Sequence, residues 1–193
     1  AVKNETLNSL YTSFNGIVLD TLIFNDNLDN LNKESLLRKL NPFFLSGSMM
    51  CAYISNCKDK SSISEEAMEL YNNALLDNAP DIPEKSGTAE FVYSFIAYKR
   101  GIFLIITSNS SDDELLQRFL EDLVKILKAD NALKDTCIGI SDYIIGIDDI
   151  STILLDAIFA NTSCILDKKN VVQIGDAPFD HIVFKDRYLL EPS

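Results

Sequence analysis

The sequence predicts an α+β fold, an antiparallel sheet of about five strands packed between helices in an α-β-α arrangement. Three observations predict it. The apolar runs around Lys99–Gly101 form a pair separated only by a turn, "EFVYSFIAYKRGIFLIITS". Two later segments carry apolar residues at spacings of three and four, the period of a helix. The order read along the chain is strands, helix, strand hairpin, helix, helix, which lacks the crossover that a parallel sheet needs between every strand pair. A length of 193 residues suits a single domain, 1–193, with roughly the first 60 residues as an extension.

The elements follow in order. Leu7–Tyr11 reads as a helical turn or a strand lead-in. "SFNGIVLDTLIFND", rich in Ile, Val, Leu and Phe and punctuated by Asn-Gly, reads as one or two strands. Glu34–Leu40 reads as a helix stopped before Pro42. Met49–Ser55 reads as a strand. Ser62–Asp77 has a capping box, Ser62 to Glu65, and one apolar helical face. "DNAPDIPEKSGTA" reads as a loop. Phe91–Tyr98 is apolar on both faces, as a central strand would be. Lys99-Arg100-Gly101 turns, with glycine expected at positive φ, and Ile102–Thr107 returns. Ser111 and Glu114 cap a helix whose buried stripe is Leu115, Leu116, Phe119, Leu120, Leu123 and Leu127. "TCIGISDYIIGI" reads as strand or helix. Ile150, Ile153, Leu154, Ala157 and Ile158 mark another helix, "NTSCILDKKNVVQI" a loop with short extended pieces, and "FDHIVFKD" a last strand.

The bulk numbers exclude some functions. Hydrophobic residues at 47% suffice for a sizeable core, and no apolar run reaches the ~20 residues of a membrane span. A net charge of −12 repels phosphates, so nucleic acid is not an expected partner. The amino-terminal stretch is polar and shows no signal-peptide pattern. Cys51, Cys57, Cys137 and Cys164 form no C-x-x-C pair and are expected to be buried thiols of a cytosolic protein, although two disulfides are arithmetically possible.

Candidate chemistry is sparse. The lone histidine, His181, follows Asp180 beside a predicted strand and is the one candidate general base; a surface or edge-strand histidine is the plainer reading. No phosphate-binding glycine motif and no nucleophile elbow are present. Asp148-Asp149 and Asp112-Asp113-Glu114 fall at helix starts, where acids favour the dipole. Asp20 is read among apolar strand residues. Neither a cofactor nor a metal site is expected.

From Glu90 to Val171 the chain resembles the longin-type domain of adaptor and coatomer small chains, the sigma chains of clathrin adaptors and the zeta chain of coatomer. "EFVYSFIAYKRGIFLIITS" is similar to the family's paired strands and "DDELLQRFLEDLVKIL" to its following helix. "TILLDAIFANTSCILDKKNVV" resembles its last helix and exit, with Leu154, Leu155 and Asp156 on the "ILDE" core. "LYTSFNGIVLD" is weakly similar to its first strand. The family's glycine in the exit is replaced around Asn161–Ser163. The resemblance implies a longin/profilin-like sheet, no enzyme activity, and pairing with another longin- or roadblock-like subunit of a coat, adaptor or tether. It further implies a cytoplasmic place, peripheral on endomembranes through partners. A small GTPase or a sorting-signal peptide is a further implied partner. The hairpin and helix residues Phe91, Tyr93, Phe95, Tyr98, Leu116, Phe119 and Leu120 are the expected interaction surface. A GTPase-binding platform is the alternative within this fold, and a small α/β enzyme using His181 the alternative outside it.

Overall fold

Val18, Leu19, Leu22 and Ile23 recur at helical spacing, and all four are buried on one side of a helix, α1 (Val2–Phe24). This structure is a computed structural model; the residues described are 2–56, 90–129, 136–166 and 171–174. The strands expected over 13–26 are therefore helical. Their β-branched composition suggested strands, but the three-and-four spacing decided the outcome, and Asn15-Gly16 lies inside the helix rather than in a turn. Asp20, expected in a strand, is an exposed helical residue whose carboxylate accepts the Tyr98 hydroxyl at 2.6 Å.

Helix α2 (Asn30–Leu40) starts earlier than its apolar pattern because Asp29 caps it, accepting the Asn32 N–H at 2.8 Å. Asn41 closes it, its N–H reaching the Leu37 carbonyl at 3.3 Å ahead of Pro42. The strands are β1 (Ser48–Asn56), β2 (Phe91–Tyr98), β3 (Gly101–Ser108), β4 (Thr136–Ile140), β5 (Ile144–Ile145) and β6 (Val171–Gln173). Helix α3 (Asp113–Ala129) follows β3, and α4 (Ile150–Leu166) follows β5. The cap of α3 is Asp112, whose carboxylate accepts the N–H of Glu114 at 3.0 Å and of Leu115 at 3.3 Å, in place of the expected Ser111. Asn161–Leu166, expected in a loop, complete α4. The expected helix 62–77, the loop after it and the last strand lie outside the described residues.

The sheet order is β2-β3-β1-β4-β6, with β5 also on β1. Five strands are antiparallel, and β6 adds to β4 in parallel. β1 sits between β3 and β4, so β3 and β4 run the same way with β1 inserted between them, a split β-α-β unit closed by α3. β2, read as a central strand, is instead the edge of the described sheet. Its apolar faces are covered, but no described strand lies beyond it.

Helices cover both faces of the sheet. On one side Met49, Cys51, Tyr53, Phe103 and Ile105 meet Val18, Leu19, Leu22 and Ile23 of α1 and Ile153, Leu154 and Ala157 of α4. On the other, Met50, Ala52, Ile54, Ile102, Leu104, Ile106 and Ile138 meet Leu116, Phe119, Leu120, Leu123 and Val124 of α3. The α3 stripe is thus the expected one with Val124 added and Leu115 only half-buried; the Leu127 side chain lies outside the description. Gly139 is what lets α4 lie on β4. A Cβ there would stand 2.1 Å from the Asn161 nitrogen and 2.3 Å from the Ala157 carbonyl oxygen. Asn161 then bridges two strands, donating to the carbonyls of Tyr53 at 3.1 Å and Cys137 at 2.9 Å while accepting the Ser55 hydroxyl at 3.0 Å. A buried amide satisfied on both ends in this way offsets its desolvation cost.

Candidate interaction surface

The hairpin turns at Lys99-Arg100, between paired Tyr98 and Gly101. The positive φ belongs to Lys99, at 52°, not to the glycine expected to supply it. A positive φ at the first central residue is the pattern of a type II′ turn, which suits the right-handed twist of its strands. Gly101 is required for a different reason. A Cβ at that position would lie 2.5 Å from the Tyr53 ring and 2.7 Å from the Ile54 carbonyl oxygen. The Tyr53 hydroxyl passes this point to donate to the Tyr98 carbonyl at 2.7 Å.

The ladder also settles which way the backbone of β2 faces. Alternate residues of an antiparallel strand bond to a given neighbour. The N–H of Asn109 donates to the Glu90 carbonyl at 3.3 Å, and Tyr98 and Gly101 close the two-residue turn. The even-numbered residues of β2 therefore bond to β3, and the odd-numbered ones aim their amides and carbonyls away from it. On the α3 face, Phe91 stacks on Phe119 with ring centroids 4.4 Å apart and planes at 4°. Tyr93 tilts over Phe119 at 6.1 Å and meets Phe95 edge-on at 6.4 Å. Burial pushes the Tyr93 phenol pKa up.

Of the seven residues expected to form the surface, Phe91, Tyr93 and Phe95 are half-buried along this edge. Tyr98, Leu116, Phe119 and Leu120 are buried inside the chain, so their side chains hold the sheet and α3 together and form no exposed face. The reason is that a strong helical stripe marks burial, and here the sheet itself does the burying. A surface that strand-based reading of residues 13–26 missed is on α1. Leu10, Phe14 and Ile17 are exposed at 62%, 45% and 65%, on the helix side opposite the buried Leu19 and Ile23. Their spacing of four and three was the available signal.

Sites for chemistry are few among the described residues. No group of three potential metal ligands converges there. Asp112, Asp113, Glu114, Asp148 and Asp149 are exposed at or beside the first turns of α3 and α4. His181 lies outside the described residues. A pocket between α2 and β5, lined by Leu37, Arg38, Phe44, Ser46, Met49 and Ile147, encloses about 10 Å³, the space of a single water. The Cys51 thiol donates to the Ile153 carbonyl at 3.1 Å, and burial drives its pKa up, which makes it an inert thiol. Cys51 and Cys164 are buried thiols as expected, but Cys137 is disulfide-bonded, which corrects the reading of all four as thiols. Sequence spacing gave no sign of this, since Cys137 stands in no C-x-x-C pair. The end of β1, Asn56, lies opposite Thr136, and the cysteine partner is outside the described residues. No described helix is long and apolar enough to cross a membrane. No family model matches the sequence, and no curated protein matches it.

Proposed function

We propose that the chain is a non-enzymatic interaction subunit of a vesicle-trafficking coat, adaptor or tether, one that pairs with a related longin-like subunit. The observation that carries the reading is α1. Its inner side is packed on the sheet, while its outer side presents Leu10, Phe14 and Ile17 to solvent. A helix apolar on two sides fits a protein that buries the second side in an assembly. The resemblance of Glu90–Val171 to adaptor and coatomer small chains supports the trafficking setting. The acidic net charge of −12 supports membrane contact through a partner rather than through anionic lipid.

A cytosolic face keeps most thiols reduced, and the disulfide at Cys137 weighs against that location. The test therefore has two parts. Tagged protein captures partners from cytosol with and without a non-hydrolysable GTP analogue, beside a Leu10→Asp, Phe14→Asp, Ile17→Asp variant. Recovery of coat, adaptor or tether subunits that the variant loses supports the reading, and nucleotide-dependent capture of a GTPase turns it toward a GTPase platform. Equal capture by wild type and variant overturns the α1 surface. Alkylation and mass measurement of protein taken directly from cells reports whether Cys137 is bonded there; a quantitative disulfide places the chain in an oxidising compartment and ends the cytosolic reading.

A further inference from the structure

We infer that the outer face of α1 seats the same face of a second copy of this chain, as a parallel two-helix coiled coil. This names the partner of the α1 surface, so it rests on the reading of that surface as a pairing site and not on the trafficking setting. The sequence carries the register. Leu7, Leu10, Phe14, Ile17, Thr21 and Phe24 follow one another at steps of three, four, three, four and three. That is the 3.5-residue period of the a and d positions of a coiled coil, which keeps one seam turned toward a partner helix. The fold leaves this seam outside. Leu10, Phe14 and Ile17 are exposed, Thr21 and Phe24 are half-buried where the helix reaches the sheet, and Leu19 and Ile23 are buried behind them. Two copies can therefore meet along the seam with their sheets on the outer sides.

The helix itself calls for such support. Residues 13–17 all lie outside the core, and beyond the helix's own backbone a Cβ at Gly16 would meet nothing within 4 Å. Asn4, Asn8, Ser13, Asn15 and Gly16 are poor helix formers. A helical stretch of that composition is marginal in water, because most helical stability in proteins comes from packing an apolar face. A second α1 laid along the seam supplies that packing.

Charge identifies the second helix as a copy. Residues 6–19 hold no charged side chain, in a chain with 17 basic and 29 acidic residues and a net charge of −12. Copies of one acidic chain repel each other, and an uncharged face is where they meet without like charges across the contact. A basic partner would find no acid on this stretch and an acidic one no base. An anionic membrane would find none of the Lys and Arg that an interfacial helix carries. In the parallel arrangement each seam residue faces its own copy, Phe14 on Phe14 and Ile17 on Ile17, so one period serves both helices.

Sedimentation equilibrium of the purified whole chain, from low to high micromolar concentration, is the test. The expected result is a monomer–dimer equilibrium reaching twice the 21.6 kDa chain mass. Phe14→Ala should raise the dimer Kd by at least about thirty-fold, since each dimer loses two rings, and Leu10→Asp with Ile17→Asp should leave only monomer. A second measurement keeps the fold intact. Leu10→Cys and Ile17→Cys, each treated with a mild oxidant, should give a reducible dimer that wild type and Asn15→Cys, off the seam, do not. A wild-type chain that stays monomeric overturns the inference. So does a dimer that the Asp variant leaves unchanged, or one in which the seam cysteines cross-link no better than Asn15→Cys. If the purified chain is monomeric while capture from cytosol still depends on Leu10, Phe14 and Ile17, the second copy is ruled out and the proposed function stands; if capture is also independent of them, both fall.

Discussion

β2 and β3 are neighbours of equal length and similar composition, yet they occupy opposite environments. Every residue of β3 is buried, between β1 and β2 and between helices on both faces. In β2 only Ile96 and Tyr98 are buried, and the rest are half-exposed. Apolar content alone does not distinguish a strand with two neighbours from a strand with one. Side chains report what lies above and below a sheet, whereas the neighbour along it is met by the backbone, which carries no sequence signal.

The sharpest way to break the comparison is at the residue where β3 begins. Gly101→Val should cost more than about 4 kcal/mol, because its side chain would enter the Tyr53 ring and the Ile54 carbonyl. The measurement is a urea melt, and the expected outcome is a chain unfolded or nearly so without denaturant. Leu104→Ala, in the fully buried part of β3, should cost about 3 kcal/mol, read as a lower urea midpoint at constant slope. The matched truncation in β2, Val92→Ala, should cost about 1 kcal/mol or less by the same melt. Equal losses at the two sites would show that β2 is as enclosed as β3. Lys99→Gly should stabilise slightly, by about 0.5–1 kcal/mol, by relieving the positive φ.

The hairpin and α3 were legible because each obeys one rule without competition. Lys99-Arg100-Gly101 separates two apolar runs, and Leu116, Phe119, Leu120 and Leu123 keep one helical period. α1 was not legible as a helix from composition, since Ile17, Val18 and Ile23 favour strands locally and Asn15-Gly16 favours a turn; burial against β2 and α4 overrode both. The place of β1 between β3 and β4 is set by contacts far apart in sequence, which no local pattern encodes. The candidate surface was half legible for the same reason. Phe91, Tyr93 and Phe95 stand out as apolar strand residues, and they lie half-buried on the edge strand of the described sheet. Leu116, Phe119 and Leu120 were singled out by the same apolarity and are interior.

The central position of β1 has a consequence for how the chain is made. Its two flanking strands are both synthesised after it, and Ile140, which pairs with Ala52, comes some 80 residues later than Asn56. At ribosomal speeds of roughly 5–20 residues per second, that gap lasts on the order of ten seconds. Until then β1, buried from Ser48 to Ser55 in the finished fold, has no β4 to enclose one of its flanks. A ribosome stalled before Thr136 would carry a nascent chain with one flank of β1 open, so newly made protein should depend on chaperones far more than the finished fold does.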